Sequence, residues 1–285
     1  MQPGRGGSSV GAPGPFQGAP VSKWLLIINI AVLFLDALLT APGEPLFLQK
    51  WGFFSIEKTF EQGQLWRLLT FQFLHGSGGH LLANCIGIFF FAPFIERWMT
   101  SRPFLVFYLL CGVAGTIFFT ILYFIPGLFD GYGTDARMVG ASAGLFGILA
   151  AFYYVAPDAK VLLFFVIPMK MRTLGIAYFA LEAVSVLFNW HNAGGSAGHL
   201  GGAIFGLLVL KVPQARELVV KISQIGSGNH SPKKIRDAKI LSEDERSPIE
   251  LSKEIDRILD KINDGGMQSL TPTERKTLDK ARRKS

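Results

Sequence analysis

The apolar residues of this chain are gathered into six runs, each long enough or nearly long enough to cross a lipid bilayer. A membrane-spanning helix needs about 20 mostly apolar residues, with roughly 17 to 25 tolerated. Hydrophobic residues make up 49% of the 285 residues, and 25 of them are Phe. We therefore predict an all-α membrane protein with six transmembrane helices. Their positions are about 24–40, 80–96, 103–125, 138–156, 171–189 and 197–212.

Polar segments flank this predicted membrane domain. Residues 1–20 are rich in Gly, Pro and Ser, a composition typical of a disordered segment. Residues 21–212 hold the six-helix domain, 213–247 form a polar linker, and 248–285 form a C-terminal tail. Within the domain, the apolar run 161–169 is too short to span and is expected to be an interfacial loop.

The tail is expected to fold as a short helical hairpin. Apolar residues recur at helical spacing from Ile249 to Ile262 and stop at Gly265-Gly266. A second helix is predicted to start at Thr271-Pro272-Thr273-Glu274, a capping box with proline at the first helical position. We expect a small cytoplasmic accessory unit.

The distribution of Lys and Arg predicts the orientation of the helices. With six spans, one side of the membrane receives the N-terminal segment, 96–102, 157–172 and the tail, where most basic residues lie. Cytoplasmic loops are enriched in Lys and Arg, so both termini are expected inside a cell (inner) membrane. The tail from Lys211 onward holds 17 Lys or Arg against 12 Asp or Glu. This excess suits anionic membrane lipids, and we predict no nucleic-acid partner.

Two of the spans carry residues that fit a nucleophile and its base. Ser142 lies in Gly140-Ala141-Ser142-Ala143-Gly144, in the middle of the fourth span, and His199 lies in the sixth. Gly202 and Gly206 follow His199 on one helical stripe and allow another backbone to approach closely. Ser142 alone is also compatible with a set of small residues that let two helices pack closely. If His199 lies in contact with Ser142, the two residues form the minimum unit of nucleophilic catalysis.

A second polar pair lies at the start of the second span. His80 and Asn84 are four residues apart, so a helix places both side chains on one face. They are compatible with hydrogen bonds between helices as well as with a functional site. Zinc binding is less favoured because Asn84 stands where a second histidine ligand would be needed. We predict no metal and no cofactor.

In combination, these residues resemble the rhomboid family of intramembrane serine proteases. The matching residues cover about 20–212 and occur in the family's order. They are Leu65-Trp66-Arg67, Phe73-Leu74-His75, His80 with Asn84, Gly140-Ala141-Ser142, and His199 with Gly202 and Gly206. Many family members have glycine directly after the serine, whereas this chain has Ala143, for which we expect a small adjustment of packing.

The resemblance implies a role for each matching residue. Ser142 would be the nucleophile and His199 the general base, while the Ser142 N–H and the His80 and Asn84 side chains would hold the oxyanion. Phe146 would stack on His199. Three glycines would support the site: Gly140, Gly202 and Gly206.

Asp36 and Glu182 are the carboxylates that lie well inside the spans. Asp36 is near the outer end of the first span and is expected to reach water. Glu182 lies deep in the fifth span, either neutral or paired, and we assign it a structural or gating role. A Ser-His dyad is therefore expected. Cys85 and Cys111 are expected to be small buried hydrophobes without a disulfide.

The predicted function is that of an intramembrane serine endopeptidase that cleaves transmembrane segments near the extracytoplasmic face. The alternative is a catalytically inactive rhomboid-like scaffold or chaperone that uses the same groove. A transporter is less favoured because the spans show no inverted-repeat pattern. Neither the natural substrate nor the oligomeric state follows from the sequence.

Overall fold

The computed structural model describes residues 14–163, 166–190 and 192–225, and farther on 257–258, 260–262, 265–271, 274–275 and 278. The chain divides into two compact units, Met1–Asp237 and Ala238–Ser285. In the larger unit, the described residues form nine α-helices and one two-stranded sheet. The elements are α1 (Pro20–Leu39), α2 (Phe47–Gly52), α3 (Arg67–Thr70), α4 (Gly78–Met99), α5 (Ser101–Tyr123), α6 (Ser142–Val155), β1 (Lys160–Leu163), β2 (Ile167–Lys170), α7 (Met171–Leu187), α8 (Ala193–Lys211) and α9 (Pro213–Gln224).

Four of these helices are long and apolar enough to cross a membrane, namely α1, α4, α5 and α8. The helix α6 is also apolar but shorter, at 14 residues. Every predicted span coincides with a helix whose ends lie within four residues of the predicted ones. The chain is therefore a mostly helical, multi-pass membrane protein.

The helix α6 lies at the centre of the helical unit, where it packs against α4, α5, α7 and α8. It begins at Ser142, so the prediction that Ser142 lies in the middle of the fourth span is wrong. Extended backbone precedes it, because Met138 exchanges two backbone hydrogen bonds with Phe54, of 2.8 and 3.0 Å. Gly140 then adopts φ +127°, a conformation that a continuing helix does not contain.

The late start of α6 leaves its N-terminal end inside the unit. Fourteen residues give a helix of about 21 Å, whereas the hydrocarbon core of a bilayer is about 30 Å thick. A helix this short is compatible with a membrane because its neighbours surround it and 11 of its residues are buried. Ala143 faces Gly115 of α5 and Gly202 of α8, each at least eight residues from the nearer end of its helix, so the start of α6 lies inside the unit.

Two buried carboxylates hold the ends of α1. Glu96 of α4 is fully buried and accepts hydrogen bonds from the Val21 and Ser22 backbone N–H groups, at 3.0 and 2.7 Å. At the other end, Asp36 is 1% exposed and accepts from the backbone N–H groups of Leu48 and Gln49 at the start of α2. The expectation that Asp36 reaches water is wrong, because it caps a second helix instead.

The run 161–169 was expected to be an interfacial loop, and the structure places two short strands in it. The strands β1 and β2 pair antiparallel, with Lys160 opposite Lys170 and Leu162 opposite Pro168. Proline fits this pairing because both strands of a two-stranded sheet are edge strands. The predicted all-α class is therefore incomplete, because the structure also contains this small β-hairpin.

In the smaller unit, the described residues include the predicted capping box. The Thr271 N–H donates to Glu274 Oε2 at 2.8 Å, and the Glu274 N–H donates back to Thr271 Oγ1 at 3.3 Å. The rest of the predicted C-terminal hairpin falls largely outside the described residues, and most of the predicted disordered segment 1–20 does so too. Cys85 and Cys111 are free thiols.

Candidate active site

The long connection between α1 and α4 frames the site. Arg67 is 2% exposed, and its guanidinium donates to the backbone carbonyls of Phe53 and Lys50 at 2.7 and 3.1 Å. This holds Phe53 and its neighbour Phe54, which pairs with Met138 four residues before Ser142. The connection thus fixes the backbone that leads into α6.

Ser142 and His199 are brought into contact by α6 and α8. The distance from His199 Nε2 to Ser142 Oγ is 2.8 Å, which is hydrogen-bond distance between a hydroxyl and an imidazole nitrogen. Ser142 is the first residue of α6, and the first backbone N–H groups of a helix have no acceptor within it. The Ser142 hydroxyl, the His199 imidazole and the free backbone N–H groups at the start of α6 therefore lie close together.

Small residues on both helices make this contact possible. A methyl group on Gly202 would collide with the backbone carbonyl of Ala143, and one on Gly206 would lie 2.8 Å from the Gly147 carbonyl oxygen. The backbones of α6 and α8 therefore touch along a seam formed by Ala143 and Gly147 against Gly202 and Gly206. We call this the glycine seam.

Phe146 lies one turn after Ser142 on α6 and stacks on the His199 ring. The ring centroids are 4.3 Å apart and the planes differ by 6°. Phe146 also meets Phe179 of α7 at 6.3 Å, so its ring lies between α7 and the imidazole. The plane of the His199 ring is thus set by an aromatic neighbour.

His80 and Asn84 lie on α4, on the other side of Ser142. A Cβ atom on Gly140 would lie 2.7 Å from His80 Nε2 and 3.6 Å from Ser142 Oγ. The missing side chain at Gly140 therefore makes room for the His80 ring beside the serine. Asn84 is 4% exposed, and one N–H of its amide donates to the His80 carbonyl at 3.2 Å. Its second N–H remains available as a donor.

His75 lies directly behind His80, in the segment before α4. The two rings are 5.1 Å apart, and both His75 ring nitrogens are buried. Burial, and next the proximity of His80, lower the pKa of His75 to about 4, although a hydrogen bond to the Phe73 backbone opposes this. The ring is therefore neutral at neutral pH.

Glu182 lies against His199, a partner that the sequence did not indicate. Its Oε1 lies 3.0 Å from His199 Nδ1, on the side of the imidazole opposite Ser142. Both side chains are largely buried, at 14% and 16% exposure. The signal was available in the sequence, because Glu182 is a carboxylate deep in a span and such groups need a partner. Which residue of α8 faces Glu182 depends on how α7 and α8 pack against each other, and one sequence does not show this.

The arrangement supplies what acyl transfer requires: a hydroxyl, a base at hydrogen-bond distance, and donors beside the hydroxyl. Among the residues that the structure describes, no group of three or more His, Cys, Asp or Glu is placed to hold a metal ion. The contact between Ser142 and His199 is the arrangement that nucleophilic catalysis by a serine requires.

Comparison with known protein families identifies the family to which this chain belongs. The rhomboid domain matches residues 62–213, which include α3 to α8 and all of the site residues. The chain belongs to the rhomboid family. Residues 249–284 match a second family, which is of unknown function (DUF6576).

Several rhomboid proteins are similar in sequence to this chain. The chain is 32% identical over 152 residues to RHOMBOID-like protein 12, mitochondrial, of Arabidopsis thaliana, covering 50% of this chain and 45% of that protein. It is 30% identical over 158 residues to the rhomboid protease GluP of Bacillus subtilis, covering 54% and 28%. It is 26% identical over 201 residues to the rhomboid protease AarA of Providencia stuartii, covering 65% and 69%. The chain thus spans less than half the length of the first two.

Ala143 is the departure from the rhomboid pattern, and the structure gives its packing. The Ala143 methyl group faces Gly115 of α5, where a Cβ atom would lie 2.9 Å from it. Gly115 also faces the backbone carbonyl of Gly198. The extra methyl group after Ser142 is therefore accommodated by a glycine on the facing helix.

Proposed function

We propose that this rhomboid-family protein is an intramembrane serine endopeptidase in which Ser142 is the nucleophile and His199 the general base. The observation that carries the proposal is the 2.8 Å contact between His199 Nε2 and Ser142 Oγ, at the buried end of a short helix. Polar and ionisable side chains inside a membrane domain are costly, and those that occur there mostly belong to functional sites.

The geometry supports a two-step mechanism. Ser142 Oγ attacks the carbonyl carbon of the scissile peptide bond while His199 Nε2 accepts the hydroxyl proton. The tetrahedral oxyanion is held by the Ser142 N–H and by the His80 and Asn84 side chains. As the C–N bond breaks, His199 returns the proton to the leaving amine. Water activated by His199 then hydrolyses the acyl-enzyme and restores Ser142.

The positions of the charges support an active site nearer the extracytoplasmic face. Ser142 begins α6, whereas the basic hairpin residues Lys160 and Lys170 follow the other end of that helix. By the positive-inside rule the hairpin lies on the cytoplasmic side. In our proposal α6 and α7 complete six crossings of the cell membrane, and both termini are cytoplasmic.

The substrates we propose are proteins with a transmembrane segment. The site lies inside the helical unit, so a peptide bond reaches Ser142 only when its segment leaves the helical state and enters the unit. Helix-breaking residues in a transmembrane segment lower the cost of that unwinding. Cleavage is thus expected close to the outer end of the substrate helix.

Labelling with a serine-directed fluorophosphonate tests the chemistry of the site. We expect the purified protein to be labelled, Ser142→Ala to remain unlabelled, and His199→Ala to be labelled at least about a hundredfold more slowly, since a general base contributes ~10²–10⁴ in rate. A wild-type protein that folds but is not labelled at Ser142 would overturn the proposal. That result would favour a non-proteolytic membrane scaffold.

A further inference from the structure

We infer that Glu182 is the third member of the site and positions His199 as its base, so that this protein works with a Ser-His-Glu triad. The inference rests on the proposed function. Its starting point is the contact between Glu182 Oε1 and His199 Nδ1 at 3.0 Å, while His199 Nε2 faces Ser142 at 2.8 Å. The imidazole thus bridges a carboxylate and a hydroxyl.

The carboxylate settles which imidazole nitrogen carries the proton. For His199 to accept the Ser142 proton at Nε2, the neutral ring must hold its proton at Nδ1. An ionised carboxylate only accepts hydrogen bonds, so Glu182 beside Nδ1 favours this tautomer. The Nδ1 atom is buried and makes no aligned hydrogen bond in the described residues. Such contacts in substrate-free sites are often poorly aligned and tighten during reaction.

The pairing of Glu182 with His199 follows from the register of two antiparallel helices. One turn farther along α7 and one turn earlier on α8, Ser196 Oγ donates to Ser185 Oγ at 2.8 Å. One turn in the other direction, Tyr178 packs in the same apolar cluster as Ala203. The Glu182–His199 contact therefore lies between two other places where α7 and α8 come together, and it agrees with the antiparallel packing of these helices.

Burial makes the carboxylate effective at the moment when charge develops. His199 becomes positive when it takes the Ser142 proton, and Glu182 is then a negative charge 3.0 Å from Nδ1. Neither side chain is more than 16% exposed, so water screens the attraction weakly. The attraction is stronger in the transition state than in the resting enzyme, which is the condition for raising the rate.

Other ionisable side chains also lie near His199. On the elements packed around α8, those that face the imidazole or its aromatic neighbour are Glu182 and Tyr178 on α7 and His80 on α4. The charged residues of α9 lie at the far end of α8, where Arg216 donates to the Leu210 carbonyl. Glu182 is the carboxylate in this group.

Replacing the carboxylate by its neutral isostere tests the inference. In the full chain, we expect Glu182→Gln to slow fluorophosphonate labelling of Ser142 at least about tenfold, because general-base catalysis contributes ~10²–10⁴. Glu182→Asp keeps the carboxylate and should retain more of the labelling rate than Glu182→Gln.

Ser185→Ala is the matched control for a merely structural role of Glu182. It removes the hydroxyl that accepts from Ser196 but leaves His199, Glu182 and the Ser196 contact to Glu182 in place. We expect its labelling rate to stay within about twofold of wild type, because Ser185 touches neither the imidazole nor Ser142. If Glu182→Gln shows the wild-type labelling rate, or if Ser185→Ala shows the same loss as Glu182→Gln, the inference is overturned.

A readout that does not require catalysis separates this inference from the proposed function. The Nδ1 proton of an imidazolium next to a carboxylate gives a low-field NMR resonance. We expect this resonance in the Ser142→Ala protein and its loss in Ser142→Ala/Glu182→Gln. Its absence from Ser142→Ala overturns the positioning role even if the protein is a protease. Its presence supports the role even if wild-type protein proves inactive.

Discussion

The two faces of α8 hold His199 in different ways. Against α6, the contact is made by backbone on backbone through the glycine seam, and 11 of the 14 residues of α6 are buried. Against α7, the contact is made by side chains, Glu182 with His199 and Ser185 with Ser196, and only 5 of the 17 residues of α7 are buried. The α6–α8 interface cannot open unless backbone moves. In contrast, α7 and α8 can separate when a few side-chain contacts break.

This difference assigns separate tasks to the two interfaces. The α6 side sets the distance between Ser142 and His199, because protein interiors are close-packed and do not deform continuously. The α7 side sets the electrostatic state of the imidazole through Glu182. In our proposal α7, which has few buried residues, is also the helix that moves aside for a substrate segment. Mutations on the two faces should therefore differ in what they change.

The largest effect should come from adding a methyl group to the glycine seam. Gly202→Ala places a Cβ atom against the Ala143 carbonyl, and the backbone of α6 or α8 has to shift. We expect a loss of about 1–3 kcal/mol in stability and a fall of about a hundredfold or more in labelling of Ser142, because misplacement by about 1 Å is costly in catalysis. Thermal unfolding in detergent and the labelling rate measure the two effects.

Gly79→Ala is the control for that variant. Gly79 is also helical, but a Cβ atom there would meet no other atom within 4 Å. Both substitutions gain about 1 kcal/mol of helix propensity, so their difference isolates the collision. Equal stability for the two variants would contradict a tightly packed α6–α8 interface.

A smaller effect is expected at Phe146, which lies between the two interfaces. Phe146→Leu removes the ring that stacks on His199 at 4.3 Å and keeps an apolar side chain. Aromatic pairs contribute about 0.5–1.5 kcal/mol beyond burial, so the labelling rate should fall by up to about tenfold. Phe179→Leu removes a ring of the same cluster that has no such stack on His199. If Phe146→Leu and Phe179→Leu lower the labelling rate equally, the stacking of Phe146 on His199 has no specific role.

The smallest effect is expected on the α7 face away from the imidazole. Ser185→Ala removes one hydroxyl pair and should lower stability by no more than about 1 kcal/mol, with activity on a substrate within about twofold of wild type. Substrate cleavage and thermal unfolding measure this. A loss of activity comparable with that of Gly202→Ala would show that the two faces of α8 are not mechanically distinct.

Much of the fold was predictable because the membrane imposes a strong constraint on sequence. Apolar length located all six core helices, and glycine spacing on the sixth predicted helix placed His199 toward Ser142. The start of α6 was mispredicted because apolar residues continue through 138–141, and the pairing of Met138 with Phe54 depends on a segment more than eighty residues away. Local apolarity does not distinguish extended from helical backbone.

The partners of two buried carboxylates were not predicted, for the same reason. Asp36 caps α2, and Glu182 meets His199 on a neighbouring helix. In both cases the sequence indicated that a buried carboxylate needs partners but not which ones, because the choice depends on how helices are turned and shifted against one another. The short hairpin of β1 and β2 was missed because a four-residue strand carries little periodic signal.

The most direct test of the central claim is cleavage of a transmembrane reporter in proteoliposomes that contain either the wild-type protein or Ser142→Ala. The account predicts that the wild-type protein cleaves the reporter near the extracytoplasmic end of its transmembrane segment. It also predicts that Ser142→Ala, folded to the same extent, produces no cleavage above the protein-free background. Undiminished cleavage by Ser142→Ala would contradict the assignment of Ser142 as the nucleophile.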